Sequence, residues 1–280
     1  MSNPGKPARP DSVPGISHIV AVASGKGGVG KSTTTLHLAL ALKKQGFKVG
    51  LLDADIYGPS QPTMLGIDDS VRPEIVDGKF FVPIEKFGLQ TISMGYLVTE
   101  KTPMVWRGPM VSGALMQMLN QTQWPELDYL LIDMPPGTGD IQLTLAQQIP
   151  CSGAVIVTTP QTVAVLDAQK GIEMFAKVAI PCLGVIENMA THTCSNCGHV
   201  DPIFGEGGGE QVSQDYNVPF LGRLPLTTSI RAGMDAGEPD RLIETDAALA
   251  KQYGDIAANL VESLARRDVE AAPTISIVDE

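Results

Sequence analysis

Six short stretches of nearly unbroken apolar residues punctuate the chain: "HIVAVAS" (18–24), "KVGLLDAD" (48–55), "YLLIDMPP" (129–136), "GAVIVTT" (153–159), "CLGVIEN" (182–188) and "VPFLGRLP" (218–225). None alternates strictly between apolar and polar positions. Runs of this kind suit parallel strands covered on both faces rather than half-exposed antiparallel ones. Helical patterns lie between them. Leu36, Ala39, Leu40 and Leu42 share one side of a helix after the first run, and further helices are expected over Met110–Leu119, Ile141–Gln148, Val163–Ala179 and Gln211–Tyr216. Asp246–Ala265 reads as a closing helix. Alternating β and α elements predict an α/β fold: a mostly parallel central sheet with helices on both faces, joined by right-handed crossovers.

One region breaks the pattern. In "RPEIVDGKFFVPIEKFGLQTIS", Asp77-Gly78 between extended runs predicts a β-hairpin inserted into the α/β core. No repeat or linker divides the chain, so a single domain is expected over 16–266. A Pro/Gly-rich disordered lead (1–15) and a mobile tail (267–280) are expected to flank it.

Composition narrows the chemistry. The chain has 280 residues with 20 Lys plus Arg against 31 Asp plus Glu, a net charge of −11. That balance, without a basic run, disfavours nucleic acid as a partner. No apolar run reaches the roughly 20 residues of a membrane helix. The first residues hold no apolar segment of a secretory leader, so no membrane association and a cytoplasmic location are expected. Of the four cysteines, Cys151 and Cys182 stand before apolar runs and read as buried thiols.

The loop after the first strand carries the strongest signal. In "SGKGGVGKST", Gly25, Gly30, Lys31 and Ser32 satisfy G-x-x-x-x-G-K-[ST], with a strand before and a helix after. The backbone N–H groups of Gly25, Lys26, Gly27, Gly28, Val29 and Gly30 can turn toward phosphate oxygens, and the helix start adds a favourable dipole. Lys31 is expected to reach the β- and γ-phosphates; Ser32, beside Thr33, offers a hydroxyl to Mg²⁺. Asp133 ends a buried strand, where a Mg²⁺-directed carboxylate is expected, and Gly137 follows in a loop able to sense the γ-phosphate. Asp53 and Asp55 end a third strand, and either could orient the attacking water.

Together with "DADIYGPS", "VWRGPM", "DMPPGTGD", "VTTPQ", "ENM" and "CSNCGH", the loop resembles the deviant Walker A of the MinD/ParA class, and specifically the Mrp/ApbC family of iron–sulfur cluster carrier ATPases. The resemblance runs from about His18 to Arg231, with Thr162 standing where Asp is expected after "VTTPQ". It implies an ATP-hydrolysing homodimer. Lys26 would cross the interface to the partner's phosphates, Asp55 would orient water, Asp53 would support Mg²⁺ or the loop, and Asn188 would read adenine. Arg223 is a weaker candidate for the edge of the base.

The second chemical feature is the C-x-x-C pair Cys194 and Cys197. Two thiolates are half of a four-ligand site, which a two-fold axis would complete. The resemblance implies a shared, transferable [4Fe–4S] cluster, a cluster donor and apo iron–sulfur acceptor proteins. Structural zinc, with His192 and His199 completing a Cys₂His₂ set, is a rival, as are a redox pair and a pair without function. A MinD/ParA-like positioning ATPase carrying zinc, or a reductase subunit resembling nitrogenase iron protein, are the competing functions. The glycines of "IFGEGGGEQVS" suggest a flexible connection.

Overall fold

The computed structural model describes residues 12–56, 58–97 and 108–271. The expected strands form at β1 (Ile16–Ala23), β2 (Val49–Asp53), β7 (Leu127–Asp133), β8 (Gly153–Thr158), β9 (Cys182–Glu187) and β12 (Phe220–Arg223). The region between them contributes β3 (Ile75–Val76), β4 (Phe80–Phe81), β5 (Ile84–Lys86) and β6 (Leu89–Ser93), and β10 (His192–Thr193) and β11 (Val200–Asp201) follow β9. One sheet of eight strands has the order β12-β9-β8-β1-β7-β2-β6-β5. Every pairing in it is parallel except the antiparallel edge pair β5–β6.

The helices are α1 (Lys31–Lys44), α2 (Gln61–Met64), α3 (Met94–Leu97), α4 (Gly108–Gln121), α5 (Asp140–Gln148), α6 (Thr162–Lys177), α7 (Gly208–Asp215), α8 (Thr228–Ala236), α9 (Pro239–Thr245) and α10 (Ala247–Ala271). One layer has α1 packed on α10, and the other has α6 packed on α5 and α7. The central strands are therefore buried on both sides, which explains their unbroken apolar sequences. Helix α1 departs from the one-sided pattern expected of it: Thr34 through Leu42 are all buried, because α10 and α9 cover the face that the sheet does not.

The Asp77-Gly78 hairpin is present, with both residues at positive φ (54° and 64°) between β3 and β4. A second tight turn, Phe87-Gly88 (φ 51° and 70°), joins β5 to β6. Helix α10 runs to Ala271, past the expected end at Ala265, since "RRDVEA" contains no helix-breaking residue. Side-chain bonds from Asn259 to the Leu221 carbonyl (2.9 Å) and from Ser263 to the Leu183 carbonyl (2.8 Å) fasten it beneath β12 and β9. Residues 1–11 and 272–280, which hold most of the expected lead and tail, and Val105–Arg107 of "VWRGPM" lie outside the described residues.

Candidate functional site

Because β1 lies between β7 and β8, the chain leaves the sheet centre in both directions, and a crevice opens at the C-terminal strand ends. Five strand ends meet there: the loop after β1, Asp53 ending β2, Asp133 ending β7, Thr158 ending β8 and Asn188 just beyond β9. Register does the positioning. Asp133 is paired with Val22 on one side and Asp53 on the other, so two carboxylates stand next to each other in the sheet.

The loop closes around α1 as its sequence requires. Gly28 and Gly30 hold φ of 81° and 80°, a region closed to most side chains. A Cβ on Gly30 would lie 2.2 Å from Asn188 Nδ2, so glycine is also demanded by packing. That same Asn188 nitrogen donates to the Val29 carbonyl at 2.8 Å. The expected base-reading residue thus also braces the loop. On the opposite side, a Cβ on Gly25 would meet the backbone of Asp167 in α6 at 2.2 Å.

Inside the loop, Lys31 is buried and its ammonium rests on Asp133 Oδ1, with Ser32 Oγ 3.2 Å away. Asp133 Oδ2 accepts a bond from Gln61 Nε2 at 2.9 Å. Asp53 is wholly buried and accepts from Ser93 Oγ (3.0 Å) and from the backbone N–H groups of Asp55 (3.1 Å) and Gln61 (3.2 Å). Burial, then the nearby Asp133 carboxylate, raises its pKa to about 7. Asp53 therefore organises the loop after β2, while Asp55 is half-buried two residues further on. Gly137, at φ 103°, donates to the Ser24 carbonyl at 2.9 Å and so ties the loop after β7 to the phosphate loop. Lys26 is half-buried, and among the described residues its ammonium makes no ion pair.

The donor set suits a hard divalent cation. The Ser32 hydroxyl, the Asp133 and Asp53 carboxylates and the buried Gln61 Oε1, which no described donor meets, are all oxygens. Mg²⁺ fits such a set, with Ser32 and Asp133 as the residues able to hold it.

A cleft of about 570 Å³ adjoins the loop, lined among others by Gly30, Thr33, Asn188, Met189, Arg231 and Tyr253. It is large enough for a nucleoside. Arg223 does not line it. Its guanidinium pairs with Glu187 Oε1 at 3.2 Å and with Glu210, and the arginine near the cleft is Arg231 of α8. Nothing local separates "GRLP" from "SIRAG" as a cleft arginine, because the choice depends on how α8 folds back over the cleft.

Cys194 and Cys197 occupy the turn of the small β10–β11 hairpin. Cys194 N–H donates to the His199 carbonyl (2.8 Å), Gly198 N–H donates to the Cys194 carbonyl (2.9 Å), and Gly198 holds φ of 71°. Hydrogen bonds from the Asn196 and Cys197 backbones, then from the Cys197 side chain, hold the Cys194 thiol below its usual range. Cys197 is exposed. Among the described residues no group of three or more His, Cys, Asp or Glu side chains converges as a metal site. His192 Nδ1 faces the Leu226 carbonyl at 3.1 Å, and among the described residues His192 and His199 do not join the two cysteines in a metal-site grouping. Cys151 and Cys182 are buried, as expected, and burial pushes the Cys182 thiol up to about 11.

Of the glycines after the hairpin, Gly208 and Gly209 have a packing role. Gly209 N–H donates to Glu187 Oε2 at 2.6 Å, and a Cβ on Gly208 would lie 2.7 Å from the Pro160 carbonyl oxygen. They allow α7 to approach β9 and the start of α6 closely.

The model of the NUBPL iron-transfer P-loop NTPase family, of ParA type, matches residues 15–261. The chain belongs to that family. It is 60% identical over 248 residues to an iron-sulfur cluster carrier protein of Pseudomonas fragi, covering 88% of this chain and 86% of that one. A solved nucleotide-binding protein from Archaeoglobus fulgidus, in complex with ADP, superposes with a TM-score of 0.72 at 38% identity, covering 81% of this chain and 88% of that one. The cell division ATPase MinD of Pyrococcus furiosus superposes with a TM-score of 0.63 at 21% identity, covering 88% and 99%, and speaks to the fold. The Mrp/ApbC resemblance and the MinD-like fold are thus shown, and this family member is a P-loop ATPase of the iron–sulfur cluster carrier group. No helix among the described residues is long and apolar enough to cross a membrane.

Proposed function

We propose that the protein is a homodimeric, ATP-dependent carrier that holds a [4Fe–4S] cluster between two copies and passes it to apo-proteins. The observation that carries this reading is the incomplete cysteine site. Two thiols sit at an accessible hairpin turn, one of them held below its usual pKa range by hydrogen bonds, with no third ligand among the described residues. A second copy would supply the other two thiolates, as closed two-fold symmetry allows. Accessibility suits transfer, since an acceptor's thiolates must reach the iron to displace those of the carrier. The cluster is cargo, taken from a donor protein and released to an acceptor in the cytoplasm.

Exposed apolar side chains support a contacting copy. Val163 and Leu166 on α6 are 64% and 52% exposed, beside the Asp167 backbone that abuts Gly25. Val200 and Ile203, on and after the cysteine hairpin, are 53% and 52% exposed. Covering such positions is favourable by roughly 25 cal/mol per Å².

In this reading Lys31 exchanges the Asp133 carboxylate for the β- and γ-phosphates when ATP enters. Ser32 and Asp133 hold Mg²⁺, which when bound neutralises charge on the phosphates. Asp55 orients the attacking water, and the partner's Lys26 meets the charge that develops during phosphoryl transfer. Asn188 and Met189 line the nucleoside cleft, Thr191 accepts from Leu226 N–H (2.8 Å), and His192 reaches the Leu226 carbonyl two residues before Cys194. Nucleotide and cysteines therefore share one wall, through which ATP would bias cluster affinity. Turnover is expected to be slow without a protein partner.

The test is anaerobic reconstitution followed by mixing with an apo-acceptor. Transfer that depends on Cys194 and changes rate with ATP supports the reading. A cluster retained in Cys194→Ala, or one that is never passed on, refutes it.

A further inference from the structure

Gln61 begins α2 and is 1% exposed. Its Nε2 donates to Asp133 Oδ2 at 2.9 Å and to the Ser32 carbonyl oxygen at 3.0 Å. These acceptors settle which way the amide points, since turning it over would set Oε1 against a carboxylate and a carbonyl. Gln61 thus joins β7 to the start of α1, and it does so at the two residues able to hold Mg²⁺. Its Oε1 is buried and meets no donor among the described residues. A buried amide oxygen left unmet is costly, and this one shares a carbon with the nitrogen that touches Asp133.

Magnesium ions bound to protein and phosphates usually keep several waters, whose protons are strong donors. Groups that accept those protons, or that orient the ligating carboxylate, set metal affinity without touching the ion. We propose that Gln61 is a positioning residue for the Mg²⁺ of the nucleotide. Its amide nitrogen fixes the Asp133 carboxylate against the phosphate loop, leaving Oδ1 for the ion once Lys31 has turned away. Its Oε1 accepts a hydrogen bond from a water of the ion's shell. The inference rests on the reading that this loop binds Mg–nucleotide, and deepens it.

The test is ADP binding by calorimetry over a Mg²⁺ series and in EDTA, for the unsubstituted full chain and for Gln61→Met, which is near in length and volume. The Mg²⁺ concentration at half-maximal tightening is expected to rise about tenfold in Gln61→Met, the equivalent of one hydrogen bond to a charged group. Affinity in EDTA is expected to stay within about twofold. An unchanged midpoint, or an equal loss in EDTA, overturns the proposal, because a purely structural role weakens both. If ADP binding by the unsubstituted chain ignores Mg²⁺, the underlying reading fails and the proposal with it.

Discussion

The phosphate loop, which touches Asn188 just beyond β9, and the cysteine hairpin, which follows β9, are both glycine-bearing turns, yet they are built in opposite ways. Around the loop, carboxylates, ammonium and amide are buried and bonded to one another: Lys31 to Asp133, Gln61 to Asp133 and Ser32, Asn188 to Val29. The hairpin has two residues per strand and thiols at its surface, and it is tethered through His192 and Leu226. The sheet prebuilds the first site. In the second, no third ligand stands with the thiols among the described residues, and on the proposed reading a second copy would complete it. On the proposed reading, the difference separates a site built before its ligand arrives from one that would have to release its ligand.

Substitutions should widen this contrast. The largest effect is expected at Gly30. An Ala there combines a left-handed φ of 80° with a Cβ 2.2 Å from Asn188 Nδ2, and should cost about 3 kcal/mol or more in urea unfolding. Lys26→Ala comes next. It should slow ATP hydrolysis about a hundredfold in steady-state assays while leaving ADP affinity nearly intact. Unchanged turnover would remove the lysine from the account.

His37 tests the burial behind the loop. It stacks on Tyr253 with centroids 4.7 Å apart, and burial lowers its pKa from 6.5 to about 4. Its folded value lies below its unfolded one, so its neutral form is stable above pH 6.5 and stability is lost as pH falls toward 4. Between pH 7 and pH 5 this costs roughly 2 kcal/mol, and His37→Gln should shed that loss in paired urea titrations. The Asp53 carboxyl, raised to about 7, gains stability in the same direction of pH and is common to both proteins, so the difference between them isolates the histidine.

Smallest is Gly198→Ala. Its φ of 71° resembles that of Gly30, but a Cβ there would meet nothing within 4 Å, so the cost should be about 1 kcal/mol. Equal losses at Gly30 and Gly198 would erase the distinction between the two regions.

Most of the sheet was legible because strands buried on both faces write themselves as unbroken apolar runs, and the loop because phosphate geometry dictates G-x-x-x-x-G-K-S. Asp77-Gly78 announced its turn, whereas Phe87-Gly88 did not, since phenylalanine carries no turn signal and reaches φ of 51° only under the pull of β5 and β6. Gln61 was hidden because its role depends on β7 and α1, both distant in sequence. Gly208 and Gly209 suggested flexibility, and the close contacts to Pro160 and Glu187 that explain them exist only in the folded chain. Strands of two residues, β10 and β11, carry no period to read.

The central claim is that Cys194 and Cys197 of two copies complete one cluster. Native mass together with iron and sulfide content of the anaerobically reconstituted protein tests it directly. The account predicts a species of twice the chain mass with four irons and four sulfides per pair of chains, lost in Cys197→Ala while ADP binding persists. Iron held by a single chain, or undiminished in the variant, would contradict it.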